Sequence, residues 1–172
     1  MSSQNPMPRL FIAVWPDAMV RGQLAEYSAK CEWAGHAKPV AVADLHLTLR
    51  FIGDVDLPLL SPLRESLALD FDAFDLELER PQLWKEVAVL WPSAISAALA
   101  ELHDAIEGRL QGLGFTADSR SFRPHVTLAR HAKHSRMPQP TAIAWHINAF
   151  CLVESTPSSA GRYRILQTYL AR

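Results

Sequence analysis

Two cysteines in 172 residues, Cys31 and Cys151, are too few and too far apart for a disulfide framework, and neither stands in a Cys-x-x-Cys or other metal-ligand spacing. A reducing, cytoplasmic setting suits such packed thiols. No apolar run reaches the length of a bilayer span, so no membrane association is expected. Residues 1–9 are rich in Ser, Asn and Pro without the basic-then-apolar pattern of a signal peptide, and read as a loose terminus. The seven glycines form no phosphate-cradling loop, and no serine sits in a nucleophile elbow. His131 and His134 are close enough in sequence to share an ion, but no nearby carboxylate or thiol completes a ligand set. The residues therefore ask for no metal and no cofactor.

Net charge is nearly absent too, at −1. That argues against sequence-blind coating of a nucleic acid, which depends on neutralising many phosphates. The small total hides a division: residues 1–108 hold 8 Lys/Arg against 16 Asp/Glu, and residues 109–172 hold 9 against 2. The basic second part suits a short anionic ligand drawn into a local positive field.

What the sequence does hold is one short pattern twice: His46-Leu47-Thr48-Leu49 and His125-Val126-Thr127-Leu128. Each alternates polar and aliphatic residues within an apolar run, the mark of a strand with one face buried. Side chains at i and i+2 share a face about 6.6–7 Å apart, so each copy presents an imidazole and a hydroxyl together. One His-x-Thr is expected by chance roughly 0.3–0.5 times at ordinary usage; two copies with aliphatic residues at both intervening positions are a pattern. Paired strands would converge two histidines and two threonines on one small anion. Imidazole titrates near neutrality and suits acid–base work, and hydroxyls donate where charge develops. With the other chemistries absent, in-line displacement at phosphorus remains, one histidine as base and one as acid.

Along the chain, residues 9–15 (RLFIAVW) read as a buried strand and 17–30 as a helix with Met19, Leu24 and Tyr27 inward. The first motif strand covers 46–52, and Asp56 and Pro58 open a second helix ending near Leu69. Residues 74–78 alternate as a half-exposed strand, with 87–91 as hairpin partner across an 80–86 connection. Ser93 or Ser96 opens the longest helix, to about Leu113, with Ile95, Leu99, Leu102, Ile106 and Leu110 in its apolar stripe and His103 structural beside it. The second motif strand covers 122–130 and runs into the basic segment 130–136; strands over 144–154 and 163–170, joined by a Ser/Pro/Gly loop, close the chain. Strict alternation puts Arg50 and Arg123 on the His/Thr faces, Arg130 opposite, and Phe51 in the core with Leu47 and Leu49. The order of elements divides into two halves, each with one motif strand. The expected class is α+β: two lobes in a pseudo-two-fold duplication, antiparallel sheets lining a central cleft and helices outside. Residues 1–172 are expected to form one domain of two intimately packed lobes, monomeric in solution.

The paired motifs, the stretches DLHLTLRFIG and RPHVTLAR, and the RLFIAVWP opening resemble the 2H phosphoesterase superfamily, and within it the bacterial and archaeal RNA 2′,3′-cyclic phosphodiesterases once named 2′-5′ RNA ligases. The resemblance runs from Leu10 to about Leu170, including the FCLVES strand and the Gly161–Tyr163 region. It implies a two-lobed, metal-independent enzyme acting on RNA ends or small nucleotides that bear a 2′,3′-cyclic phosphate, with 2′-5′ RNA joining as an accompanying activity. It implies His125 as the base that takes the water proton and His46 as the acid that protonates the departing O3′, leaving a 2′-phosphate. Thr48, Thr127 and Arg130 fall at phosphate-binding positions. The chain departs from the family pattern where it reads Val89-Leu90-Trp91-Pro92 in place of a Trp-hydrophobic-Gly strand. Two other readings stay open from the residues alone: the same site acting on a different cyclic phosphate, such as one derived from ADP-ribose, and a non-catalytic module that binds RNA ends.

Overall fold

The computed structural model describes residues 7–156 and 162–172. Residues 1–6 of the loose start expected over 1–9, and most of the loop before Tyr163, including Gly161, lie outside the described residues.

The motif strands stand at the middle of the main sheet. β1 (Arg9–Val14) runs antiparallel between β3 (Leu47–Asp54) and β9 (Ala149–Ser155), and β10 (Tyr163–Leu170) forms the outer edge beside β9. In the other half, β7 (Val126–Arg130) pairs with β6 (Val87–Trp91), which pairs with β5 (Arg80–Trp84), while the two-residue β2 (Lys38–Pro39) adds to β7. The halves meet at one residue pair, Leu47 opposite Val126, which joins them into a sheet ordered β10-β9-β1-β3-β7-β6-β5. Both side chains are fully buried. Beyond that pair the strands take separate partners, and the cleft opens on the face opposite these two residues.

Helices cover the sheet's other face. α1 (Ala18–Lys30) is capped by the Asp17 carboxylate, which accepts from the Val20 N–H at 2.9 Å, a contact worth about 1 kcal/mol. Its inward stripe is Val20, Leu24 and Tyr27; Met19, expected inward, is 74% exposed because it lies one step off that stripe. α2 (Leu60–Ser66) follows a short 3-10 turn over Leu57–Leu59. α3 (Ala97–Gly112) starts at Ser96, whose Oγ accepts from Leu99 N–H, and buries Leu99, Leu102, Ile106 and Leu110; Ile95 precedes the helix and faces solvent. These stripes, the inner faces of β1, β3 and β7, and the separate pair β4 (Phe74–Leu78) with β8 (Ile143–Ile147) share one contiguous core.

The α+β, two-lobed architecture is the one expected. Two pairings differ. The 80–86 connection contains strand β5, which takes the hairpin place beside β6, and β4 pairs with β8 instead. Arg80-Pro81 obscures a strand, but β5 is an edge, where proline's missing N–H costs no ladder bond. Residues 144–154 are not one strand: the chain breaks at Asn148, and β8 and β9 belong to different sheets.

Candidate active site

Register alone gathers the four motif side chains. In an antiparallel ladder with Leu47 opposite Val126, His46 falls opposite Thr127 and Thr48 opposite His125, all four on the face away from the buried pair. A local two-fold axis through that pair exchanges the two motifs. The histidines take diagonal corners, about 7–8 Å apart between Cα atoms in an ideal ladder, and the threonines take the other two. All four line a cleft of about 660 Å³.

Each histidine precedes its strand, so the carbonyl two residues earlier is free to serve the ring. Nδ1–H of His46 donates to the Asp44 carbonyl at 2.6 Å, and Nδ1–H of His125 donates to the Arg123 carbonyl at 2.6 Å. A carbonyl only accepts, which fixes both tautomers and leaves Nε2 of each ring for the cleft. Both imidazoles are pushed below their ordinary 6.5, first by burial. Their neighbours then differ. At His46 the Asp44 carbonyl and carboxylate pull upward, while the charges of His125 and Arg130 push down. At His125 only the Arg123 carbonyl pulls upward, and Arg123 and Arg130 push down.

The rings packed on the two histidines also differ. Trp15 stacks on His46 with centroids 4.8 Å apart and planes at 8°, while Phe11 (5.2 Å) and Tyr163 (5.1 Å) close two further sides. His125 meets the single Trp84 ring edge-on at 4.7 Å, and the Arg123 guanidinium lies 3.8 Å over that ring. Trp15, Tyr163 and Trp84 were not singled out from sequence. Alternation in RLFIAVW, which puts Phe11, Ala13 and Trp15 on one face, was the available signal for the first.

Bulges correct the reading of the arginines. On β3, Thr48 lies opposite Ala13 but Arg50 opposite Ile12, so Leu49 is an extra residue. On β7, Thr127 lies opposite Val89 but Ala129 opposite Ala88, so Leu128 is extra. Each bulge resets the alternation. Leu49 and Arg50 both turn toward the helices; Leu128 enters the same core and Ala129 packs with Ala88 and Ala132, and Phe51 and Arg130 return to the cleft face. Arg50, expected beside His46, borders the cleft but ion-pairs with Glu107 of α3 and donates to the carbonyls of Phe51 and Thr116. Phe51, expected in the core, is 44% exposed and stacks on Phe11 at the cleft wall. Arg130, which strict alternation placed opposite, lines the cleft and its charge reaches both histidines.

The far end of the cleft is walled by Phe122, stacked at 4.0 Å on His103, and by Arg120, whose side chain and N–H hydrogen-bond Asp118 and hold its carboxyl at about 2. His131 faces Glu86 on the surface. Among the described residues no three His, Cys, Asp or Glu side chains converge as a metal site, and no helix is long and apolar enough to cross a membrane.

Residues 17–156 match the family described as the 2′-5′ RNA ligase superfamily. The chain belongs to that superfamily. A relative in Aeropyrum pernix, named RNA 2′,3′-cyclic phosphodiesterase, is 35% identical over 105 residues, which span 54% of this chain and 56% of the relative. The Escherichia coli protein of the same name is 29% identical across 95% of this chain and 94% of its own length. The 2′-5′ RNA ligase fold extends over nearly all of the chain: a crystal structure of E. coli LigT complexed with 3′-AMP superposes with a TM-score of 0.87 at 28% identity, covering 97% of this chain and 99% of that one.

Proposed function

We propose that this protein hydrolyses a terminal 2′,3′-cyclic phosphate on RNA to a 2′-phosphate, with His46 and His125 as acid and base. The observation that carries the reading is the two-fold His/Thr rectangle with both Nδ1 atoms committed to carbonyls. The names borne by relatives that span nearly the whole chain supply the substrate class.

Water attacks phosphorus opposite the departing O3′, so base and acid stand on opposite sides of the phosphate. Nε2 of His125 accepts the water proton as the new P–O bond forms. Nε2–H of His46 protonates O3′ as the P–O3′ bond breaks, and the product keeps its phosphate on O2′. Thr48 and Thr127, at the other two corners, donate to the non-bridging oxygens, and the Arg130 guanidinium adds a charged donor to them. The Asp44 carboxylate and the face of Trp15 favour an imidazolium at His46, whereas Arg123 disfavours one at His125. Deeper burial and the His125 charge oppose that order, so the protonations belong to the pair, and the resemblance assigns His46 as acid and His125 as base. The walls suit a nucleotide: exposed Phe51 offers a ring face to a base, and arginines bound the other side.

The test is incubation of the purified protein with an oligoribonucleotide ending in a 2′,3′-cyclic phosphate, read by mass spectrometry and by 31P NMR. A gain of one water with the phosphate on O2′ is the expected result. A 3′-phosphate product overturns the acid–base assignment. Cyclic-phosphate opening that survives His46→Gln or His125→Gln at near wild-type rate overturns the two-histidine mechanism and leaves a different chemistry in the cleft.

A further inference from the structure

Arg130 serves the reaction, but the basic segment that follows it, 131–136, is left unused, and the stretch is built with a regular period. Buried small residues recur every third position, at Ala129, Ala132 and Ser135. A left-handed histidine follows each of the first two cations, His131 at φ 52° and His134 at φ 70°. The cations Arg130, Lys133 and Arg136 keep the same spacing and are exposed. Main-chain bonds brace the segment from three sides: Ala132 N–H donates to the Glu86 carbonyl at 2.7 Å, Glu32 and Arg136 exchange two N–H···O bonds of 2.9 Å, and Ala34 N–H donates to Ser135 Oγ at 2.9 Å. Lys38 adds a fourth cation, because β2 sets it directly opposite Arg130 and therefore on the same face. None of Lys38, Arg130, Lys133 and Arg136 forms a salt bridge among the described residues, whereas Arg50, Arg120, Arg164 and Arg172 all do. A braced row of unpaired cations that begins inside the cleft and leads out of it is shaped for a chain of anions.

We propose that Lys133 and Arg136, with Lys38 beside the row, form a track for the backbone phosphates of single-stranded RNA whose terminal phosphate lies at Arg130. The inference rests on the RNA-end reading of the site and extends it: the protein binds nucleotides upstream of the reacting one, with contacts to phosphate and none to base edges, so the track is indifferent to sequence. Counterion release then makes affinity for an oligonucleotide steeply salt-dependent, while a mononucleotide, which never reaches the track, responds less.

The experiment compares wild type with Lys133→Ala/Arg136→Ala, and with Arg109→Ala/Arg172→Ala as a charge-matched control away from the row. A fluorescein-labelled ten-nucleotide single strand with a 3′-terminal phosphate is titrated by anisotropy across salt concentrations, and hydrolysis of a cyclic mononucleotide is measured on the same preparations. The track variant is expected to weaken oligonucleotide binding roughly tenfold at low salt and to make the log–log salt slope shallower by about 1.4, two phosphate contacts at ~0.7 each. Mononucleotide hydrolysis is expected to stay at the wild-type rate, which also certifies the fold, and the control is expected to bind like wild type. Unchanged oligonucleotide affinity and slope in the track variant overturn the proposal, as they would if the row served an acidic protein instead. An equal loss in the control overturns it as well, by reducing the effect to net charge. Failure of the RNA-end reading looks different: no hydrolysis of any cyclic substrate by wild type, whatever the anisotropy records.

Discussion

Phe51 and Arg130 are counterparts. Each lies three residues beyond its motif threonine, past a one-residue bulge, and each returns to the cleft face at the same place in its half. Around Phe51 the first half is aromatic, with Phe11, Trp15 and Tyr163 enclosing His46 and the Asp44 carboxylate behind it. Around Arg130 the second half is cationic, with Arg123 on Trp84 behind His125. Two-fold backbone geometry thus carries unlike chemistry. The backbone sets two imidazoles in symmetric places, and in the proposed reaction the residues at the counterpart positions would set which way round the substrate lies.

The largest effects should come from breaking the symmetric part. His46→Gln and His125→Gln are each expected to lower kcat about 10²- to 10⁴-fold on a cyclic phosphate, by steady-state assay. An activated aryl phosphodiester, whose leaving group needs no proton, should restore His46→Ala far better than His125→Ala. Equal rescue of the two would mean that the halves do not divide acid from base.

Breaking the asymmetric part should cost less. Arg130→Met is expected to lower kcat/KM about 10- to 100-fold, the worth of one charge-assisted hydrogen bond. Because both imidazoles lie below 6.5 in the free protein, the kcat/KM profile of wild type should be a bell with its maximum on the acid side of pH 6.5. Removing the Arg130 charge relieves a downward push on both histidines, so both limbs should move to higher pH. Arg123→Met should move the profile the same way but by less than Arg130→Met, since that charge acts directly on His125 and reaches His46 only through it. A profile flat from pH 5 to 9 would remove the acid–base pair altogether. Phe51→Ala is expected to raise KM about five- to tenfold with kcat little changed, the lower range of one lost stacking contact. The smallest effect should follow chelation. The described residues hold no converging ligand set, so EDTA is expected to leave the rate unchanged, and a rate abolished by EDTA and restored by a divalent ion would demand a different site.

Much of this was legible in the sequence, for a physical reason. The His-x-Thr repeat and the alternation around it depend only on the two-residue period of a strand, which short sequence windows record. So do the buried stripes of α1 and α3, through their own period. What was misread depends on partners distant in sequence. The β4–β8 pairing joins residues some seventy positions apart, and nothing local distinguishes it from the hairpin that was expected. The Arg50–Phe51 and Arg130 positions were misassigned because alternation assumes an unbroken ladder, and a bulge is set by the neighbouring strand. Met19 and Ile95 were placed inward on hydrophobicity alone, where the angular position around the helix and the location of the N-cap decide.

The bulges have a consequence for how such a chain tolerates change. A substitution at Leu49 or Leu128 alters one packed side chain and leaves its neighbours in place. Deleting either residue would leave both His-x-Thr pairs and close the bulge. Phe51 or Arg130 would still face the cleft, because a single residue would then separate it from the motif threonine. An added residue on the neighbouring strand opposite the bulge would instead turn it away. The bulge acts as a reading-frame marker for side-chain direction, and what sets it is the difference in length between neighbouring strands, more than the identity of the residue at 49 or 128. Among descendants of this chain, loss of one residue at either bulge should spare activity better than gain of one residue in β1 or β6 opposite it, where the added partner reverses the face.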